Sequence, residues 1–155
     1  MFAYPGLVAG SWHLPILALH LSATSIMVGV ICFVQHVHYP LKSFVGKEQF
    51  AEYQTQHVNR TGHVVGLPMV VEAALALLLV VDTGIHGQPL LALAGLFLLV
   101  GVWLCTAVFQ VPEHQRLLSG YDPKRHHRLV ATNWIRTVLW MARAGVAVAL
   151  LVGRS

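Results

Sequence analysis

Four long apolar runs divide the chain, at roughly residues 14–37, 57–81, 89–111 and 130–152. Each reaches the ~20 residues that an α-helix needs to cross ~30 Å of hydrocarbon. None of the runs is apolar all round. On the first, His20, Thr24, Ile31, Gln35 and His38 recur at helical steps and trace one stripe. On the second, Tyr53, His57, Arg60 and Val64 do the same, with Glu72 about a quarter-turn away. The third carries Trp103, Thr106, Gln110 and Glu113 or His114 on one face, and the fourth carries Asn133, Arg136, Thr137, Trp140 and Arg143. Lipid offers such groups no partners, so the stripes must face one another. The expected fold is all-α: a single transmembrane domain over residues 1–155, built as an antiparallel, up-down integral membrane four-helix bundle with a polar interior. Pro40, Pro89 and Pro112 mark expected helix ends, and Pro68 predicts a kink inside the second span.

Composition supports the membrane assignment. The chain is 56% hydrophobic and 10% charged, against about 45–50% and about 25% for soluble domains. The first run lacks a basic leader and an Ala-x-Ala end, so it reads as a retained span and not as a signal peptide. Cys32 and Cys105 sit in apolar runs without CxxC spacing and read as buried thiols.

The net charge of +4 does not point to nucleic acid. The basic residues cluster in "PLKSFVGKEQF" and "PEHQRLLSGYDPKRHHRL", and they do not interleave with aromatics as a single-strand platform requires. They read as a topology signal. Lys42 and Lys47 fall in an expected first loop, residues 42–56. Arg116, Lys124 and Arg125 fall in an expected third loop, residues 113–127, with Arg128 at its edge. The stretch "DTGIHGQ" and the first fifteen residues carry no Lys or Arg. The positive-inside rule then puts loops one and three in the cytoplasm, as in a bacterial inner membrane, with both termini on the periplasmic side.

That topology gathers two polar groups. Toward the cytoplasmic side, His38, His57 and His114 come from three helices. With Glu113 they are candidate metal ligands for iron, copper or zinc, and the histidines are candidate axial ligands for a haem cofactor. Tyr39, Tyr53, Arg60, Asn133 and Arg136 are the candidate catalytic residues: the tyrosines donate to a substrate oxygen, and the arginines hold a carboxylate or phenolate. No HExxH or CxxCH spacing is present, so the set rests on convergence alone. His36 is expected to face headgroups, and His126 and His127 to lie on a solvated loop. In the outer half, Glu72, Arg143 and His20 are expected to form a buried charge group. A lone charge there costs about 2.5–3.5 kcal/mol, so the pair either sets helix registry or carries protons.

Three short stretches carry a family resemblance: "YP" after the first span, "FAEYQTQH" leading into the second, and "LVATNWIRT" opening the fourth. In these the chain resembles the anthrone oxygenase-like family of small four-helix membrane proteins. The resemblance covers most of the chain in layout and few positions in motif. It implies a membrane oxidoreductase that oxygenates a hydrophobic aromatic compound, with Asn133 and Arg136 in the site. The histidines here are more numerous than that family's pattern has.

The leading expectation is therefore a membrane oxidoreductase or oxygenase acting on a quinol- or polyphenol-like substrate from the bilayer. The alternatives are a proton- or ion-conducting protein using His20, Glu72 and Arg143, and a structural subunit of a larger membrane complex. A homo-oligomer is compatible with each.

Overall fold

The computed structural model describes residues 10–153. They form four long helices: α1 (Gly10–Phe44), α2 (Phe50–Val81), α3 (Pro89–Ser119) and α4 (Pro123–Val152). All four are long and apolar enough to cross a membrane. The chain is an all-α four-helix bundle and a membrane protein. With at least 30 residues each, the helices rise about 45–50 Å, well beyond the ~30 Å hydrocarbon layer. Each is longer than its apolar run because polar residues extend it at the end that holds the first and third connections.

Those connections are shorter than the sequence suggests. The first is residues 45–49 and the third is residues 120–122. Lys42, expected in a loop, is a fully buried helical residue, and Glu113, His114 and His126 are helical too. Gly120 makes the tight third turn possible. Its φ of 134° is open to glycine and strained for other residues. The Asp122 carboxylate then caps α4, accepting from the Lys124 and Arg125 amides, with Pro123 at the first helical position.

Short connections make sequence neighbours spatial neighbours. α1 packs on α2 and α4, and α3 packs on α2 and α4, which gives a square of alternating direction. Inside it, apolar and polar layers alternate. Leu17, Leu79 and Leu150 fill the layer near the second connection. Met27, Ile31, Val102 and Trp140 fill the middle. Val34, Tyr39, Phe50, Leu117 and Leu129 fill the opposite end. Between these three lie two polar layers. Outward-facing Leu19, Ile26, Leu67, Val70, Phe97 and Leu104 are exposed, as a lipid-facing surface requires.

Two wide turns interrupt the α-helical register. Residues Val34–His38 of α1 and Thr106–Gln110 of α3 are π-helical, with Tyr39 N–H donating to the Val34 carbonyl and Val111 N–H to that of Thr106. Their cause is proline. A proline ring clashes with the carbonyl four residues back, here that of His36 for Pro40 and of Val108 for Pro112. Each of those residues is central to its wide turn. Widening moves the carbonyl aside, and the helix continues past the proline. Pro40 and Pro112 thus bend the register without ending the helix. Pro68 also lies inside an unbroken helix.

Candidate functional site

The wide turn in α1 decides which side chains enter the bundle. An unbroken α-helix would carry the stripe from Gln35 to His38. The wide turn favours Tyr39, four residues on, over His38; Tyr39 and Lys42, the latter seven residues after Gln35 and on the same face, are 3% and 0% exposed. His38 is left half-buried at the rim. It still touches the second helix: its Nε2 lies 2.8 Å from His57 Nδ1, with the rings stacked 4.5 Å apart. The hydroxyl of Thr61, one turn beyond His57, lies 3.1 Å from the same Nδ1.

A polarised hydrogen-bond chain starts at Lys42. Lysine only donates, so Lys42 Nζ fixes Gln54 Oε1 as its acceptor at 2.8 Å. The Gln54 amide nitrogen must then donate, and His114 Nδ1 lies 3.0 Å from it. That leaves the proton of neutral His114 on Nε2, which is 2.7 Å from the Tyr39 hydroxyl. Every member donates in one direction, and the Tyr39 O–H is left free to donate onward. The expected result is that nitrogen NMR of labelled protein finds His114 in the Nε2–H form. Lys42→Met frees the Gln54 amide to flip and should yield a mixture of tautomers; a wild-type Nδ1–H signal would contradict the chain.

A second chain orients the arginine. Arg136 Nη1 donates to Asn133 Oδ1 at 3.0 Å, Asn133 Nδ2 donates to Gln35 Oε1 at 2.8 Å, and Gln35 Nε2 donates to the Val130 carbonyl at 3.4 Å. The guanidinium also lies 5.2 Å from the Trp140 ring centre. Among the described residues no carboxylate pairs with Arg136. Its Nε is buried without a hydrogen-bond partner, and so is Gln110 Oε1.

These groups surround one cavity of about 140 Å³. Met27, Ile31, Val65, Met69 and Trp140 form its apolar walls, while Tyr39, His57, Gln110, His114 and Arg136 supply polar atoms. An apolar cavity near that size, about 150 Å³, accepts a benzene ring. A more open groove of about 430 Å³ runs between α1 and α2, lined by Phe33, His38, Arg60 and Val64. It shares Val30, Val34, His57, Thr61 and Val65 with the cavity.

The structure separates some of the sequence-derived candidates. Arg60 is exposed on the groove, bonded to Gln56, and does not line the cavity. Tyr53 is half-buried beside His38, with the rings 6.2 Å apart, and also lies outside the cavity. Trp103 is 43% exposed and Val64 60%, so neither belongs to an inward stripe. Glu113 is buried, but its Oε1 is held by Arg116, Arg125 and Arg128 at the helix ends.

The expected metal set does not fit. Two nitrogens at about 2.0–2.1 Å from one tetrahedral ion stand about 3.3 Å apart. His38 Nε2 and His57 Nδ1 are closer than that, in direct hydrogen-bond contact. Both His114 nitrogens are taken, by Tyr39 and Gln54. Among the described residues no group of three or more His, Cys, Asp or Glu side chains is placed to hold a metal ion. A haem between His38 and His57 meets the same obstacle, because the facing nitrogens leave no room for iron.

Three residues escaped the sequence reading. Lys42 and Gln54 both fall in the expected first loop, residues 42–56, and are instead buried helical residues. His126 was assigned to solvent, yet it is 8% exposed and donates from Nε2 to the Tyr39 carbonyl at 2.7 Å. Its place on the buried face of α4, seven residues before Asn133, was the available signal. His36 is exposed, edge-on to Trp134.

The polar layer nearer the second connection is bonded within itself, apart from His20 Nδ1. Arg143 Nε donates to Glu72 Oε1 at 2.9 Å, Thr24 donates to the same oxygen at 3.0 Å, and Trp140 Nε1 donates to Oε2 at 3.3 Å. Arg143 also donates to the Gly95 carbonyl and lies 3.3 Å from His20 Nε2. Glu72, Arg143 and His20 are therefore one cluster. The middle apolar layer separates it from the cavity, and Trp140 touches both.

Comparison with protein-family models, curated proteins and solved structures finds no match.

Proposed function

We propose that the chain is a membrane oxidoreductase that oxygenates a lipophilic phenol at the α1–α4 cavity, using dioxygen as co-substrate. One observation carries this reading: a ring-sized cavity inside a bilayer-spanning bundle presents an arginine with no carboxylate partner and a free Nε. A buried cation without a counter-charge favours an anionic guest, and an apolar wall favours an aromatic one. A phenolate satisfies both. The resemblance to anthrone oxygenase-like proteins, with Asn133 and Arg136 as its carried residues, points the same way.

In this proposal the substrate slides from the lipid through the α1–α2 groove. Its oxygen meets Arg136 and the Tyr39 hydroxyl. His57 takes the phenolic proton and can pass one on from its other nitrogen to His38, at the rim. Electrons from the phenolate ring go to dioxygen and a ring C–O bond forms. Loss of water then leaves a quinone: phenol plus O₂ gives quinone plus H₂O. Arg136 favours the phenolate over the phenol and so favours the electron-rich form. Loops one and three would face the cytoplasm, since Lys47, Arg116, Lys124, Arg125 and Arg128 lie at that end.

The test uses the full chain in nanodiscs with naphthol and isotopically labelled dioxygen. One labelled oxygen in the naphthoquinone is the expected outcome. Tight naphthol binding without turnover would reduce the protein to a carrier. Absence of both binding and turnover would remove the reading.

A further inference from the structure

Where α3 ends and α4 begins, three arginines converge on one acid. Glu113 Oε1 lies 3.0 Å from Arg116 Nη1, 3.5 Å from Arg125 Nη1 and 3.5 Å from Arg128 Nε. The acid is 1% exposed and the arginines 50%, 39% and 55%. Three positive charges against one negative leave an excess of two. Like charges this close repel, and the buried carboxylate is what holds them together. Arginine carries five N–H donors, so one contact each leaves most of every guanidinium turned outward.

An open, polar hollow of about 420 Å³ adjoins them, lined by Arg116, Ser119, Gly120, Tyr121, Asp122 and Arg125. The one acid in its wall is already engaged: Asp122 accepts from the first amides of α4. The hollow sits at the turn between two helices long and apolar enough to span a membrane, past the apolar run of each. Guanidinium forks match phosphate oxygens in pairs, and basic clusters beside spans attract anionic lipid. We propose that this hollow is a binding site for the phosphate of an anionic phospholipid, with Glu113 as the residue that positions its arginines. Membrane depth selects a lipid phosphate over free phosphate, because the ligand is then already concentrated at the surface.

The test compares nanodiscs of phosphatidylcholine alone with nanodiscs containing phosphatidylglycerol. Native mass spectrometry should find phosphatidylglycerol retained by the wild type, with a higher melting temperature in the mixed discs. The double variant R125Q/R128Q should retain about tenfold less. The double lysine variant, R125K/R128K, keeps the charge without the fork, so it controls for folding and should recover part of the retention. Equal retention in wild type and R125Q/R128Q would overturn the proposal, as would full protection of the wild type by inorganic phosphate in phosphatidylcholine discs. The hollow and the cavity share no lining residue, and Arg125 and Arg128 line no part of the cavity, so neither result bears on phenol oxygenation.

Discussion

Glu72→Ala is expected to destabilise the bundle by about 3–5 kcal/mol, the usual cost of leaving one partner of a buried ion pair alone. Arg143 would keep only the Gly95 carbonyl and His20, and neither is an acid. The Thr24 hydroxyl and the Trp140 indole N–H would each lose an acceptor. Glu72→Gln should cost less, since its amide oxygen still accepts from two of the three donors. The double variant Glu72→Leu/Arg143→Leu should recover more than half of the loss, because replacing both charges by apolar groups removes their desolvation cost. Unfolding equilibria in mixed micelles measure all three. A change under about 1 kcal/mol in Glu72→Ala would show that water or lipid already relieves Arg143. A proton path through Glu72 predicts a different pattern: lost flux in Glu72→Gln with little loss of stability.

Arg136→Leu is expected to weaken naphthol binding by roughly 10- to 100-fold. That corresponds to about 1.5–3 kcal/mol for a hydrogen bond to a charged group. The fold should tolerate the change better than it tolerates Glu72→Ala, because Arg136 has no carboxylate to abandon and leaves two neutral acceptors, Asn133 Oδ1 and the Tyr39 hydroxyl, short of a donor. Arg136→Lys should keep part of the affinity through charge alone. Asn133→Ala leaves the guanidinium present and untethered, so it should reduce turnover more than binding. Isothermal titration with naphthol reads the first effect, and steady-state oxidation reads the second. Equal affinity in wild type and Arg136→Leu would place the ligand oxygen elsewhere in the cavity. Trp140 gives the two experiments a link. Its N–H is held by Glu72 while its ring lies under Arg136, so Glu72→Ala should also blunt naphthol binding.

The fold was readable because hydrophobic length and polar periodicity are both strong in these four runs. Most of the α4 stripe was readable: Asn133, Thr137, Trp140 and Arg143 are buried where regular 3.6-residue spacing puts them and Arg136 is half-buried on the cavity, while His126 at the start of the same face was missed. The Glu72–Arg143 pairing followed from depth alone. The site at the other end was only half readable. Regular spacing points His38 inward, but the wide turn before Pro40 brings Tyr39 in instead, and Lys42, on the same face seven residues after Gln35, lies in helix where a loop was expected. The same spacing put Arg60 on the α2 stripe, yet α2 there faces the groove and lipid. Histidine count suggested metal, whereas distances of hydrogen-bond length between nitrogens belong to a proton-sharing pair. Sequence gives which side chains meet at one depth; it does not give how far apart their atoms stop.

The two wide turns also bear on how such a gene can change. Each holds one residue more than an α-helix would place there. A single-codon deletion within residues 34–38 that keeps Pro40 would force the wide turn to re-form one residue earlier in α1. Everything beyond would then swing by about 100°, taking Tyr39 and Lys42 away from the cavity and out toward lipid. Many substitutions in the same segment would leave the backbone path intact. In this region the length of the reading frame is a stricter specification than the letters within it.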